Sequence, residues 1–373
     1  MKARLKSYAG FMTVPALSIL LALLVASILI VASGLIGPEK KVDLLLPLVA
    51  YRSLLVGAFG SFRGIANMIV AAAPLMLTGL AVGVGLKAGL FNIGATGQVL
   101  LGGFSAALVG VLVAGAPPLL AITLALFGGM LAGAFAGFIP GFLKAFTGAH
   151  EVVTTIMLNA IIQLTISGLV NDVFRAPGFS FARTAPVGHA ELTGVGGTTL
   201  HLGVLFALIC IPLSYWLLWR TTIGFEIRAV GANPTAALYA GMKPRRMMIL
   251  TMSLCGAFAG LAGAIEVLRL GYYPAVFGSS IGFDGITVAL LGQASPIGIM
   301  FSAILLGAMR AGAPLMQIQA RVPVEIIDVI QGVILIFLAA EIVVRRIFRL
   351  RATGQGVGEL QTITRTYGEK VTG

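Results

Sequence analysis

The chain has 373 residues and a net charge of +12; 58% of its residues are hydrophobic and only 10% are charged. A soluble domain carries about 25% charged residues, so the two or three soluble domains that the length alone would allow are excluded. Continuous apolar runs long enough to cross a bilayer repeat along the chain. They define an all-α fold class, a polytopic membrane bundle of about ten transmembrane helices.

An outer-membrane barrel is excluded as well, since its strands would alternate apolar and polar residues over about ten positions. The positive charge does not point to nucleic acid, because Lys and Arg mark the cytoplasmic ends of membrane helices. Cys210 and Cys255 lie inside apolar runs and read as small packing residues.

Taken in chain order, Lys2, Arg4 and Lys6 precede an apolar run over 11–36. That run exceeds the roughly 7–15 residues of a signal-peptide core and predicts an uncleaved first helix with a cytoplasmic N-terminus. Residues 37–66 hold Glu39, Lys40, Lys41 and Asp43, then an amphipathic stretch suited to the outer interface. Crossings are predicted over 67–86, 90–113, 119–143 and 152–172. Residues 175–200 are rich in Gly and Thr and predict an outer loop. Crossings over 202–219 and 247–268 flank a basic inside loop, 220–246. The next two, 276–291 and 297–311, are short and separated only by 292–296, which leaves two full spans or one broken hairpin. The last crossing covers 324–344.

The membrane domain thus spans 1–350, including the 220–246 loop, and 351–373 forms a polar cytoplasmic tail. Ten crossings put both termini in the cytoplasm, with 16 of the 25 basic residues on that side. An odd number would export the basic cluster at 345–351, against the positive-inside rule.

Inside the basic loop, Gly231-Ala232-Asn233-Pro234-Thr235-Ala236-Ala237-Leu238-Tyr239-Ala240-Gly241 reads as a complete two-turn helix. Asn233 can cap it, Pro234 suits its first position and Gly241 can close it. So short a helix is marginal in water and needs contacts from the bundle or from a docked partner. The alternative is an ordinary interhelical loop.

The stretch 89–98, G-L-F-N-I-G-A-T-G-Q, places three glycines among polar side chains at the head of a membrane helix. It either lines a cavity or packs tightly between helices. Gly282-Phe283-Asp284-Gly285 echoes Gly94-Ala95-Thr96-Gly97, which suggests two weakly related halves. In the fifth crossing Thr155, Asn159 and Gln163 share one face, as a solute path or as interhelical glue. No nucleophile–base set, phosphate loop or metal motif occurs, so no cofactor is expected and catalysis is the poorer reading.

Together these residues resemble the permease subunits of ATP-binding-cassette importers serving simple sugars, nucleosides and branched-chain amino acids. The carriers are residues 73–80, 89–98, 151–159, 228–241 and 282–292, spread over most of 65–306. The F-N-I-G-x-x-G-Q wording and the long segment 37–66 are most similar to the larger permease of nucleoside or simple-sugar systems. The family shows Glu where this chain has Thr96, and a more polar residue where it has Ala294.

The resemblance implies a plasma-membrane protein, multi-pass in the bacterial cytoplasmic membrane, that is not itself an enzyme. Its partners would be a separate ATPase subunit, a second permease (homo- or heterodimer), an extracytoplasmic solute-binding protein and membrane lipid. Gly231, Asn233, Pro234, Ala236, Ala237, Tyr239 and Gly241 would form the coupling element for the ATPase. Asn92, Gln98, Asn159 and Asp284 are the candidates for the solute path or its hinges. The alternative is a secondary transporter driven by an ion gradient, for which Asp284 is the one mid-membrane acidic candidate.

Overall fold

The structure, a computed structural model, describes residues 2–36, 43–277, 280–340, 344 and 348. Among them the chain forms α1 (Lys2–Ile36), α2 (Leu46–Phe59), α3 (Phe62–Lys87), α4 (Ala95–Leu112), α5 (Pro118–Thr147), α6 (Glu151–Asp172) and α7 (Leu202–Arg220). There follow α8 (Thr222–Ala232), α9 (Pro234–Tyr239), α10 (Pro244–Leu270), α11 (Ser280–Leu291), α12 (Pro296–Ala320) and α13 (Ile326–Ala339). Glu39, Lys40, Lys41, the arginines of the 345–351 cluster and the tail 351–373 lie outside the described residues.

Eight of these helices are long and apolar enough to cross a membrane: α1, α3, α4, α5, α6, α7, α10 and α12. α2, α11 and α13 are shorter apolar helices, and α11 and α13 fall on two of the ten expected crossings. The chain is therefore an all-helical, multi-pass membrane protein. Several boundaries differ from the sequence pattern: α3 already begins at Phe62, α5 runs on to Thr147, and three more stand out. α4 begins at Ala95 rather than at 90, because Gly89, Asn92 and Gly94 favour turns over helix. α12 continues past 311 to Ala320, with Pro314 inside it. α11 has only 12 residues, about 18 Å at 1.5 Å per residue, well short of a hydrocarbon core of about 30 Å.

Two compact units are present. The first comprises the described residues within 1–68 and 308–348. In it α1 packs on α13, turning inward a face of Ser18, Ala22, Ala26 and Ile30 at four-residue spacing. Tyr51 of α2 donates its hydroxyl to the Leu23 carbonyl of α1 (2.6 Å). Ser53 donates to Gln319 of α12 (2.7 Å).

The second unit, Ile69–Gly307, is built around α10, which packs most extensively on α5 and α4. Lipid offers no hydrophobic drive between helices, so close backbone approach has to supply the attraction. Gly133 and Gly256 do this for α5 and α10. A Cβ on Gly256 would lie 2.1 Å from the Gly133 carbonyl oxygen, and one on Gly133 would lie 2.3 Å from that of Gly256. The connection between α6 and α7 is ordered by long-range pairing. Thr184 N–H donates to the Tyr273 carbonyl, Val187 N–H to Gly271 and Ala275 N–H to Ala182, each at 2.9 Å. The Arg183 guanidinium stacks on Phe179 (3.3 Å to the ring centre) and Tyr272 (4.4 Å).

Candidate solute path and coupling helix

α3 ends at Lys87, and the chain turns sharply through Gly89, at φ +70°. Leu90 N–H donates back to the Gly85 carbonyl (3.0 Å), so 88–94 folds alongside the end of α3 before α4 begins. Here Asn92 and Gln98 exchange two hydrogen bonds. Asn92 Nδ2 donates to Gln98 Oε1 (2.9 Å), and Gln98 Nε2 donates to Asn92 Oδ1 (3.1 Å). Both side chains are fully buried. Two amides sealed in an apolar bundle are tolerable because they satisfy each other.

Asn159 of α6 joins the same cluster. Its Oδ1 accepts from Gly97 N–H (2.8 Å), and its Nδ2 donates to the Ile93 carbonyl (3.0 Å). It thus pins α6 to both sides of the α4 entry. Asp284 sits on α11, buried, and α11 meets the entry at Gly282. A Cβ on Gly282 would stand 2.4 Å from both the Thr96 nitrogen and its Cα. The two glycine-pair segments that echo each other in sequence therefore touch in space, and each opens a helix. α11 ends in an unusual turn, with Gln293 and Ala294 both at φ 51°. Consecutive non-glycine residues in the left-handed region are costly and persist only where surrounding contacts hold them.

One extension of the α6 face escaped the sequence reading. The four-residue repeat Thr155, Asn159, Gln163 continues through Ser167 to Asn171. Thr155 is buried, Asn159 and Ser167 are half-buried, and Gln163 and Asn171 are exposed. Only 17% of the α6 span is buried, against 78% for α3, so this polar stripe is not absorbed by the chain's own core. At the start of α6, Glu151 pairs with Lys144 at the end of α5 (2.9 Å).

The short helix forms as α9. Asn233 Oδ1 accepts from Ala236 N–H (2.9 Å), Pro234 occupies the first turn, and Gly241 closes the turn beyond at φ +83°. Ala237 is buried against the protein, whereas Leu238 and Tyr239 are 60% and 88% exposed. Ala237 thus anchors α9 while Leu238 and Tyr239 face outward. Gly231 belongs not to this helix but to the preceding α8, whose N-terminus Thr221 caps by accepting from Gly224 N–H (3.1 Å). Its place is informative: a Cβ on Gly231 would lie 2.2 Å from the Lys87 carbonyl oxygen and 2.8 Å from Ala88 Cα. α8, next to α9, is therefore seated directly on the turn that leads into the Asn92–Gln98 cluster.

No cluster of metal-ligating side chains occurs among the described residues. His201, just before α7, is buried with neither ring nitrogen hydrogen-bonded. Burial, reinforced by Arg269, pushes its pKa down to about 4, so the ring stays neutral near pH 7 and is unsuited to relaying protons there. Arg269 itself pairs with Glu266 one turn earlier on α10.

The fold is that of a multi-pass membrane protein whose glycine-packed helices carry a capped short helix in a basic loop. Residues 64–339 match the family described as branched-chain amino acid transport system / permease component, and the chain belongs to that family. It is similar to the guanosine ABC transporter permease protein NupP of Bacillus subtilis (strain 168), 37% identical over 89% of this chain and 94% of that protein. The nucleoside ABC transporter permease protein NupB of Lactococcus lactis subsp. cremoris (strain MG1363) is 36% identical over 89% and 91%. The glucose ABC transporter permease protein TsgB13 of Haloferax volcanii is 32% identical over 87% and 86%. No solved structure matches the chain. The chain is thus an ATP-binding-cassette permease subunit, a membrane transport component rather than an enzyme, and its family implies an ATPase and a binding protein as partners. The ion-gradient alternative finds no support in these relatives.

Proposed function

We propose that this permease carries a nucleoside along the exposed polar face of α6, with a second permease completing the conduit. The observation that carries this reading is the stripe Asn159, Gln163, Ser167 and Asn171 on a helix that its own bundle leaves largely uncovered. Amide side chains facing lipid tails are costly, so such a stripe belongs on water or on another protein. Asn92 and Gln98 shape the entry, Asn159 ties it to the stripe, and Asp284 approaches from α11. The similarity to guanosine and nucleoside permeases supports a nucleoside as solute. The glucose relative makes a simple sugar the second candidate.

The ATPase docks on the Tyr239 side of α9, so α9 faces the cytoplasm, and the cations Lys243, Arg245 and Arg246 at the head of α10 support that orientation. The binding protein then delivers solute to the opposite face. The second permease is an identical or related chain.

The native cysteines, both buried, leave a clean background for a test. In the assembled transporter, Gln163→Cys should react with a water-soluble maleimide. The nucleoside should slow that reaction, and the bulky adduct should abolish uptake. Leu164→Cys, one position round the helix, should be unaffected by the nucleoside. Failure of Gln163→Cys to react, or reaction that leaves uptake intact, would remove the path from α6. Competition of labelled nucleoside uptake by unlabelled nucleoside, and not by glucose, checks the solute class.

A further inference from the structure

A groove of about 970 Å³ lies between α9 and the first turns of α10, with Phe146 of α5 at one side. Phe146, Leu238, Met242, Ile249, Leu250 and Ser253 form its walls. Lys243, Arg245 and Arg246 stand at its rim, where α10 begins. No carboxylate of the described residues lies within ion-pair distance of these three cations. Arg245 instead holds its guanidinium 5.8 Å from the centre of the Phe146 ring. From Phe146 a ladder of rings continues along the surface of α5. Phe142 lies 4.7 Å from Phe146, Phe138 lies 5.7 Å from Phe142, and all three are exposed. The arrangement is a cationic head region followed by an apolar track pointing along the membrane helices.

Depth decides what fits. Ser253 lies nine residues beyond Pro244, about 13 Å along the axis of α10. Counted from Met247, where the apolar run of α10 begins, Ser253 lies about 9 Å inside the membrane-length stretch. A cytosolic subunit docked on α9 reaches the rim but not that depth, whereas a lipid chain reaches both. We propose that this groove binds an anionic phospholipid of the leaflet nearest α9. Its phosphate is held by Lys243, Arg245 and Arg246, and an acyl chain lies over Leu250, Ser253 and the phenylalanine ladder. Because Pro234, Thr235 and Leu238 also line the groove, the lipid braces α9 from its membrane side. Juxtamembrane cations favour anionic headgroups in this way, each by roughly fivefold in affinity.

The test uses the purified full-length permease alone, so its result does not depend on which ATPase or solute belongs to it. Native mass spectrometry is run with phosphatidylglycerol and with phosphatidylcholine of the same chains. The wild type should retain phosphatidylglycerol preferentially. Arg245→Gln/Arg246→Gln should lose that preference by roughly thirtyfold, two cations' worth. Arg52→Gln/Arg63→Gln, which removes two exposed charges elsewhere, should keep it. Leu250→Trp should fill the groove and reduce retention of both lipids. The proposal is overturned if the wild type shows no preference, if the groove variant keeps it, or if the Arg52/Arg63 variant loses it equally. It is also overturned if, in the full complex, Ser253→Cys cross-links to the ATPase or to a second permease, since the groove would then hold protein.

Discussion

Gly256→Leu should leave almost no recoverable permease. At this position α10 meets α5 backbone to backbone. The first side-chain carbon alone would sit 2.1 Å from the Gly133 carbonyl oxygen and 3.0 Å from the Gly137 nitrogen. No rotamer relieves a clash between Cβ and main chain, so the helices must separate. Separation also exposes the matching contacts at Gly129–Gly260 and Gly137–Met252. Overpacking in a well-filled core typically costs about 1–3 kcal/mol; a forced backbone shift across the central helix pair belongs at or above the top of that range. Against a total stability of about 5–15 kcal/mol, this is enough to deplete folded protein. Gly168→Leu on α6 and Gly332→Leu on α13 are the controls, since a Cβ there meets nothing within 4 Å. The readout is the yield of monodisperse protein after membrane extraction. Near-normal yield for Gly256→Leu would mean that α5 and α10 do not approach as described.

The second large effect lies at the reciprocal amide pair. Asn92→Ala strands both the Oε1 and the Nε2 of Gln98 inside the bundle. Each stranded group costs about 1–3 kcal/mol. Gln98→Ala strands Asn92 in the same way. Removing both partners, as Asn92→Ala/Gln98→Ala, leaves no orphan, so the combined loss should be well below the sum of the two single losses. The expected coupling between the sites is about 0.5–3 kcal/mol. Thermal melting of the four purified proteins measures it. Because each amide is used up by the other, uptake per folded molecule in the double variant should stay near wild type. Simple additivity of the two losses would refute the reciprocal pairing. A folded double variant that no longer transports would place these amides in the path itself.

The two sites differ in how far the sequence discloses them. The α9 cap is local chemistry: Asn233, Pro234 and Gly241 each favour one position in a short helix, and the structure puts each there. The late start of α4 is equally local in cause, though the apolar Leu90 and Ile93 disguise it. What stays hidden is contact between distant segments. Gly231 looks like part of the α9 signal until its seat on Lys87 and Ala88 is seen. The pairing of 182–187 with 271–275 leaves no periodic trace, because those residues bond through their main chain. The polar repeat on α6 is visible at Thr155, Asn159 and Gln163, but only burial tells that its far end is uncovered. Likewise, the echo between 94–97 and 282–285 becomes meaningful once Gly282 is found against Thr96.

In the proposed mechanism an ATPase drives this bundle through the outward side of α9. Nucleoside uptake by proteoliposomes holding the complete transporter tests this most directly, with Tyr239→Glu, which lies outside the groove, compared to wild type. The Tyr239 side chain is exposed, so the permease should keep its wild-type melting temperature. A Tyr that acts as a hot spot at an interface is worth about 2 kcal/mol or more. The variant should therefore lose its co-purifying ATPase and its ATP-dependent uptake together. Uphill uptake that persists in the variant, or in vesicles containing the permease without any ATPase, would contradict the claim.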